Sequence, residues 1–311
     1  YQLVQGEGHE VGEAIVTHPD VAAVGFTGSL RGGRTLFDLA SQREVPIPLY
    51  AEMGSVNPQF VLPELVEANG EGFAESFFGS ITLGNGQFCT CPGMLFLPPG
   101  SDALLEKLAS LVADSTGQPV LNEGICSAFE SGMSRLESLE GVQVLAKGTL
   151  EGAVVGAPAM MVQVSYADYV AQRKVLSEEV FGPSAVVVIC DDVTQFTEAA
   201  RDFEGQLGAS LHGTESELAG AKNLLDELER FTGRVVVNAF PTGLEVCHSL
   251  VHGGPYPATT NSHFTSVGQS GITRWARAMS YQGVPDALLP PTLQEANPLG
   301  IARRVDGVFT L

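Results

Sequence analysis

Two short segments combine a thiol and a carboxylate in settings that suit catalysis. Residues 86–93 read Gly-Gln-Phe-Cys-Thr-Cys-Pro-Gly and contain Cys89, and residues 51–58 read Ala-Glu-Met-Gly-Ser-Val-Asn-Pro and contain Glu52. A cysteine among glycines can be exposed at the base of a cleft as a nucleophile, and a carboxylate at a strand end can serve as its base. Each residue also has a structural alternative, because Cys89 can be a small buried apolar side chain and Glu52 an ordinary surface carboxylate.

The neighbours of both residues favour the chemical interpretation. Glycines on both sides of Cys89 predict a backbone that turns sharply there, and the thiol then needs activation. Apolar residues precede Glu52, and we expect burial to raise its pKa toward the range of a general base. Cys91 follows Cys89 too closely for a zinc-binding Cys-x-x-Cys pair, so we interpret it as a packing residue.

Three further segments have features of a nucleotide site. Residues 27–33 form a glycine-rich turn between a predicted strand and a helix, where backbone N–H groups favour a phosphate. Residues 6–12 open another helix, but their glycine spacing is one residue longer than the dinucleotide fingerprint. Either segment can also be a plain tight turn. In residues 178–183, Glu179 can accept ribose hydroxyls while Phe181 packs on a planar ring.

A metal site is not expected, although four side chains invite one. They are Cys247, His248, His252 and His263. His248 and His252 have helical spacing, but the Gly-Gly-Pro segment that follows ends any helix, and no carboxylate completes the set.

Composition narrows the class of protein. A chain of 311 residues that is 44% apolar favours two structural units. Its net charge of −20 excludes nucleic acid and anionic membranes as partners. Five scattered cysteines fit a reducing cytoplasm. We find no membrane-length apolar run and no signal peptide. The chain begins without Met, and we interpret it as a fragment or a processed chain.

The pattern of elements is that of an α/β protein. Strand-like runs alternate with helical patterns, which predicts a mostly parallel sheet covered by helices. Residues 240–271 are rich in Gly, Pro, Thr and His and are interpreted as an ordered loop near a site. A helix is predicted from Gly271 to about Tyr281, and a single strand from Arg304 to Leu311.

The order of these motifs resembles the aldehyde dehydrogenase superfamily. The matching runs are residues 26–29, 52–54, 86–89, 179–183 and 238–240. Residues 26–34, 51–58 and 251–260 resemble the branch of α-ketoglutaric semialdehyde (2,5-dioxovalerate) dehydrogenases, which includes an NADP-dependent fatty aldehyde dehydrogenase. Ser55 departs from the second glycine that many superfamily members have at this position.

The resemblance implies a fold, a division of the chain and a truncated N-terminus. Residues 1–51 would be the C-terminal part of a Rossmann-type cofactor domain, 52–260 the complete α/β catalytic domain, and 261–311 a C-terminal oligomerisation tail. The absent part would hold an oxyanion-hole asparagine and a lysine at the adenosine ribose. We expect a homodimer or homotetramer at full length and poor activity from this chain alone.

The resemblance also implies the reaction and the site residues. Cys89 would attack an aldehyde, most simply 2,5-dioxopentanoate, and Glu52 would activate the water that hydrolyses the thioester. Phe240 and His252 would line the substrate tunnel. The contacts to NAD or NADP would be Gly8 and Gly12 near the adenosine, Gly28 and Ser29 at the pyrophosphate, and Glu179 and Phe181 at the nicotinamide ribose and ring.

Two alternatives to aldehyde oxidation follow from the same residues. One is a cysteine acyl hydrolase in which Cys89 works with His248 or His252 and without a redox cofactor. The other is a chain without catalytic activity that acts only as a scaffold in a larger assembly.

Overall fold

The computed structural model describes residues 1–6, 8–152 and 155–310, which form two compact units, Tyr1–Gly271 and Ile272–Leu311. The strands in the described residues are β1 Val24–Thr27, β2 Leu49–Glu52, β3 Gln59–Val61, β4 Met94–Leu97, β5 Gln118–Pro119, β6 Gln143–Lys147, β7 Gly156–Ala157, β8 Met160–Ser165, β9 Ser184–Ile189, β10 Ala209–His212, β11 Val235–Val237, β12 Arg303–Val305 and β13 Val308–Thr310. The α-helices there are α1 Glu10–Thr17, α2 Leu30–Gln42, α3 Pro63–Thr82, α4 Asp102–Ala113, α5 Glu123–Glu137, α6 Tyr166–Leu176, α7 Thr194–Asp202, α8 Glu215–Gly220 and α9 Lys222–Phe231.

A seven-stranded sheet in the order β11-β10-β3-β4-β9-β8-β6 is the centre of the first unit. All neighbouring strands in it run parallel except the edge pair β6 and β8. Both faces are buried, because Met94 and Phe96 of β4 belong to one apolar cluster while Leu95 and Leu97 belong to another. This arrangement explains why the strands read as unbroken apolar runs and confirms the predicted mostly parallel α/β sheet.

A separate two-stranded parallel sheet joins the predicted phosphate turn to Glu52. Thr27 at the end of β1 stands opposite Glu52 at the end of β2. Helix α2 begins directly after the turn, and the hydroxyl of Ser29 caps it by accepting the N–H of Gly32 at 3.2 Å. Because parallel strands end at the same edge of a sheet, the turn and the carboxylate lie side by side.

The predicted elements of the first unit are largely confirmed. The structure has strand-to-helix pairs at β1–α2, β3–α3, β9–α7 and β10–α8. Helix α3 begins at Pro63, with proline in its first turn and a kink at Asn69. Helices α8 and α9 follow each other directly along the chain. Residues 240–268, all of them described, contain no helix or strand, as expected for an ordered loop.

Two predictions in the C-terminal region are wrong. In place of a helix from Gly271 to Tyr281, a short 3₁₀ helix covers Gln269–Trp275. Ile272 and Met279 are exposed, so a longer helix there would have no buried face to stabilise it. The predicted terminal strand is the antiparallel hairpin of β12 and β13, turning at Asp306 and Gly307, and Leu311 lies outside the described residues.

Two further properties bear on the composition-based expectations. No helix within the described ranges is long and apolar enough to cross a membrane. All five cysteines are free thiols, and they range from the buried Cys190 to the exposed Cys247.

Candidate active site

The loop before Cys89 has a backbone that requires glycine or asparagine. Gly84, Asn85 and Gly86 all have positive φ, at 56°, 55° and 70°. A Cβ on Gly86 would stand 2.2 Å from the carbonyl carbon of Gly182. The chain therefore turns sharply between α3 and β4, as the glycine pattern predicts, and the half-buried Cys89 lies at the exit of this turn.

Asn57 fixes the backbone at Cys89 and Cys91. Its side-chain amide donates to the carbonyl oxygens of Cys89 and Cys91, each at 2.9 Å. Asn57 has a φ of 44° and is fully buried, and the hydroxyl of Ser55 donates to its side-chain oxygen at 3.0 Å. A buried amide with all these partners makes the loop rigid. The sequence analysis missed this role, for which an Asn-Pro pair after the Glu52 motif is only a weak signal.

Glu52 ends β2 and is 4% exposed. Burial raises its pKa, but the hydrogen bonds from His252 and Ser266 outweigh burial and hold the pKa below its usual range. The prediction that the pKa of Glu52 is raised is therefore wrong. The two donors that lower it, His252 and Ser266, lie far from Glu52 in the sequence. Glu52 is an ionised carboxylate at neutral pH and can accept a proton.

His252 joins the thiol and the carboxylate. Its Nε2 lies 3.3 Å from Sγ of Cys89 and 3.2 Å from Oε1 of Glu52. The side chain is buried, and its backbone N–H donates to the hydroxyl of Thr265 at 2.8 Å. The structure thus places His252, expected at the substrate tunnel and, in the hydrolase alternative, as the partner of Cys89, in direct contact with both the thiol and the carboxylate.

Ser266 supports the same cluster from the loop of residues 240–268. Its hydroxyl donates to Oε2 of Glu52 and lies 3.0 Å from the carbonyl oxygen of His252. It therefore occupies one carboxylate oxygen and leaves Oε1 toward the histidine. Sequence reasoning missed Ser266, and nothing in its local pattern marks it.

The thiol of Cys89 is not activated by its protein surroundings. Burial, followed by the negative charge of Glu52, raises its pKa to about 12. A neutral thiol whose hydrogen bond is accepted by Glu52 requires proton transfer as it attacks. Cys91 packs into the apolar cluster beneath the loop, and burial raises its pKa to about 12 as well.

Of the residues expected at the pyrophosphate and nicotinamide, Glu179 lines a cleft that reaches the first turns of α2. Gly28 donates its N–H to the carbonyl oxygen of Glu52 at 3.1 Å. A cleft of about 1010 Å³ extends from Arg31 and Arg34 in the first turns of α2 to Glu179. Burial raises the pKa of Glu179 to about 7, although the Ser55 N–H donates to its carboxylate. The cleft thus combines an exposed helix N-terminus with a carboxyl group that can carry its proton at neutral pH.

The remaining residues expected at the site are Gly8, Gly12, Phe181 and Phe240. Gly8 is exposed with a φ of 71°, and Gly12 packs within α1, where a Cβ would meet Leu36 of α2 at 3.7 Å. Phe181 lines a narrow pocket together with Glu179 and Cys91. Phe240 packs against the rings of Phe73, Phe77 and His212 at centroid distances of 5.1–6.0 Å.

Within the described residues, the side chains that come close enough together to bind a metal differ from the four that the sequence suggested. Glu52, Cys89 and His252 have ligand atoms within 4.8 Å of one another. Of the four side chains considered earlier, His252 belongs to this group, whereas Cys247 is exposed and contacts Ser249.

A sharp turn thus presents the thiol of Cys89 to a buried histidine and a buried carboxylate. The model of the aldehyde dehydrogenase family matches residues 1–261, and the chain belongs to that family. It is 41% identical over 311 residues to "Alpha-ketoglutaric semialdehyde dehydrogenase 2" of Azospirillum brasilense, covering 99% of this chain and 59% of the relative. "Alpha-ketoglutaric semialdehyde dehydrogenase" of Acinetobacter baylyi is 40% identical, with coverage of 97% and 58%.

The chain therefore spans under two thirds of the length of these curated relatives. Among solved structures, proline utilization A of Bdellovibrio bacteriovorus has a TM-score of 0.73 at 20% identity, covering 87% of this chain and 28% of that one. Gamma-glutamyl-gamma-aminobutyraldehyde dehydrogenase of Burkholderia cenocepacia has a TM-score of 0.64 at 23% identity, with coverage of 80% and 50%. These structures support the aldehyde dehydrogenase fold.

Proposed function

We propose that the protein containing this chain oxidises an aldehyde to a carboxylic acid with NAD or NADP. The observation that carries the proposal is the contact cluster of Cys89, His252 and Glu52, in which Glu52 directly precedes the segment of Gly54 and Ser55 that lines the cleft bordering α2. The family to which the chain belongs supports the same reaction. The roles of the individual residues follow from their contacts.

Cys89 is the nucleophile in this proposal. As Sγ bonds to the aldehyde carbon, its proton passes to Glu52, which accepts the hydrogen bond of the thiol, and from Glu52 to solvent, so that the carboxylate is ionised again before the second step. The product of this step is a thiohemiacetal, and its loss of hydride leaves a thioester on Cys89. Glu52, ionised at neutral pH, then takes a proton from the water that hydrolyses the thioester. The rigid loop held by Asn57 keeps Cys89 in place through both steps.

The residues around the cleft fit a dinucleotide, which would accept the hydride. The turn of Gly28 and Ser29 leads into the N-terminus of α2, whose dipole favours a phosphate, and the side chain of Arg31 adds positive charge there. Glu179 and Phe181 suit the nicotinamide ribose and ring, because a carboxyl group accepts hydroxyls and an aromatic ring packs on a planar one. Gly8 and Gly12 would lie on the adenosine side.

The substrate we propose is an aldehyde with a carboxylate at its far end, most simply 2,5-dioxopentanoate. Arg234 supports this choice: its half-buried guanidinium interacts electrostatically with Cys89 and donates to the carbonyl oxygen of Pro241. No ion pair within the described residues includes Arg234, so its charge can be matched by a substrate. The relatives named for α-ketoglutaric semialdehyde favour the same class, and a fatty aldehyde is the alternative.

The hydrolase alternative gains one observation, the contact between Cys89 and His252. In a catalytic triad, however, the acid holds the imidazole nitrogen opposite the nucleophile. Here Glu52 and Cys89 contact the same nitrogen, Nε2. We therefore assign His252 to the neighbourhood of the thiol in aldehyde oxidation, where it also lines the substrate position with Phe240.

Three broader features complete the proposal. We propose residues 1–51, 52–260 and 261–311 as cofactor-domain remnant, catalytic domain and tail; the separate sheet of β1 and β2 supports the first division. We also propose a homodimer or homotetramer at full length. A cytoplasmic location agrees with the five free cysteines.

The test is an aldehyde panel with both cofactors, run on the full product of the reading frame and on the 311-residue chain. We expect NAD(P)-dependent oxidation of 2,5-dioxopentanoate by the full product, lost in Cys89→Ser. Arg234→Gln should raise KM about 10- to 100-fold for this substrate, because a charged hydrogen bond contributes about 1.5–3 kcal/mol, and leave pentanal nearly unchanged. Cofactor-independent ester hydrolysis without any NAD(P)H formation would replace the proposal with the hydrolase, and no activity in either form would favour the scaffold.

A further inference from the structure

Three atoms of different metal-binding type meet at the thiol cluster. Sγ of Cys89, Nε2 of His252 and a carboxylate oxygen of Glu52 all lie within 4.8 Å of one another. Sγ and Nε2 are 3.3 Å apart, and Nε2 and Oε1 are 3.2 Å apart. Thiolate, imidazole and carboxylate are the three side-chain ligands that zinc uses in proteins.

These separations match those of ligands around one tetrahedral zinc ion. With Zn–S distances of about 2.3 Å and Zn–N or Zn–O distances of about 2.0–2.2 Å, tetrahedral angles place neighbouring ligand atoms about 3.3–3.6 Å apart. The two separations from Nε2 are within a few tenths of an ångström of these values, and the third, between Sγ and the carboxylate oxygen, is within 4.8 Å. Cys89 and Glu52 both contact the same nitrogen, Nε2 of His252. One ion can therefore take the place of the proton that these three side chains share.

The surroundings of the cluster orient the ligands as a metal site requires. Ser266 holds Oε2 of Glu52, which leaves Oε1 for an ion. The backbone of His252 is fixed by Thr265, and both His252 and Glu52 are buried. Cys89 is half-buried, which gives an ion a path from solvent and a place for water as the fourth ligand.

We propose that Cys89, His252 and Glu52 form a binding site for one Zn²⁺ ion, which reversibly blocks the nucleophile. On binding, the Cys89 thiol loses its proton to solvent and a Zn–S bond forms, with no change of oxidation state. Removal of the ion by a chelator returns the proton to sulfur. The binding step does not depend on the proposed oxidation of aldehydes, which it would inhibit in the whole enzyme.

The test is a titration of the tag-free chain with Co²⁺, followed by displacement with Zn²⁺. Cobalt bound to a thiolate gives a near-ultraviolet charge-transfer band that free cobalt lacks. We expect one equivalent to produce the band and one equivalent of Zn²⁺ to remove it. Cys89→Ser should abolish the band, and His252→Asn should weaken affinity at least about 100-fold. Ser266→Ala, which removes a group that orients Glu52, should weaken affinity about tenfold.

The matched control is Cys247→Ser, which removes an exposed thiol outside the cluster and should leave the band and its affinity unchanged. Near-ultraviolet circular dichroism should show that each variant retains wild-type packing. If His252→Asn packs differently from wild type, the His252→Cys variant, which keeps a metal-binding side chain at this position, should keep the band. No thiolate band in the wild type, or a band of equal strength in Cys89→Ser, would overturn the proposal.

Discussion

Replacing Glu179 with glutamine should change how stability depends on pH. Burial raises the folded-state pKa of Glu179 from the ordinary 4.5 to about 7. A buried carboxyl group with a raised pKa favours folding while it is protonated. This contribution to the free energy of unfolding is lost as pH rises through about 7, because the buried group then becomes charged. The full shift corresponds to about 3.4 kcal/mol, at 1.36 kcal/mol per pKa unit. Because the side chain keeps some exposure, we discount the loss between about pH 5 and about pH 8.5 to roughly 1–2 kcal/mol.

The assay is urea unfolding of wild type and Glu179→Gln at both pH values. Glutamine has nearly the same shape and no charge, so the variant should gain roughly 1–2 kcal/mol relative to wild type on going from about pH 5 to about pH 8.5. The control is Glu178→Gln, which removes the neighbouring exposed carboxylate paired with Arg135 at 2.7 Å and should change stability by under about 1 kcal/mol at either pH. A Glu179→Gln difference that is constant with pH would refute the raised pKa.

Two further predictions concern the nucleophile loop. The rate at which iodoacetamide alkylates Cys89, measured by peptide mass spectrometry, should rise about tenfold per pH unit from about pH 7 to about pH 9. The reason is that little thiolate is present below a pKa of about 12. A plateau in this range would show that the thiol is already ionised. Asn57→Ala should lower the free energy of unfolding by about 2–4 kcal/mol in urea titrations, since two carbonyl oxygens lose their donor, and an unchanged midpoint would contradict the role of Asn57 in holding the loop.

Local patterns predicted the parts of the site that local chemistry determines. Glycines around Cys89 indicate a sharp turn, and three consecutive residues with positive φ form it. Alternation of strand and helix patterns predicts the parallel sheet, because apolar runs buried on both faces have few other arrangements. The closing hairpin was missed, although Asp-Gly between two β-rich runs is a strong turn signal, and Asp306 and Gly307 both have positive φ.

Long-range contacts were not predictable from a single sequence. His252 meets Cys89 across 163 positions, and Ser266 meets Glu52 across 214. The pKa of Glu52 therefore shifts downward, opposite to the expectation from its apolar neighbours, because donors from a distant loop decide it. The predicted helix after Gly271 failed for a related reason: helix pattern alone does not stabilise a segment whose apolar residues stay exposed.

The central claim is that Cys89 forms a thioester during aldehyde oxidation and that Glu52 activates the water that removes it. The most direct measurement is a rapid-mixing experiment on the full gene product with Glu52→Gln, NAD(P) and 2,5-dioxopentanoate, combined with mass spectrometry of the Cys89 peptide. We predict one equivalent of NAD(P)H in a burst, slow turnover afterwards, and an oxidised acyl group on Cys89. Undiminished steady-state turnover in Glu52→Gln, or a burst without any acyl group on Cys89, would contradict the account.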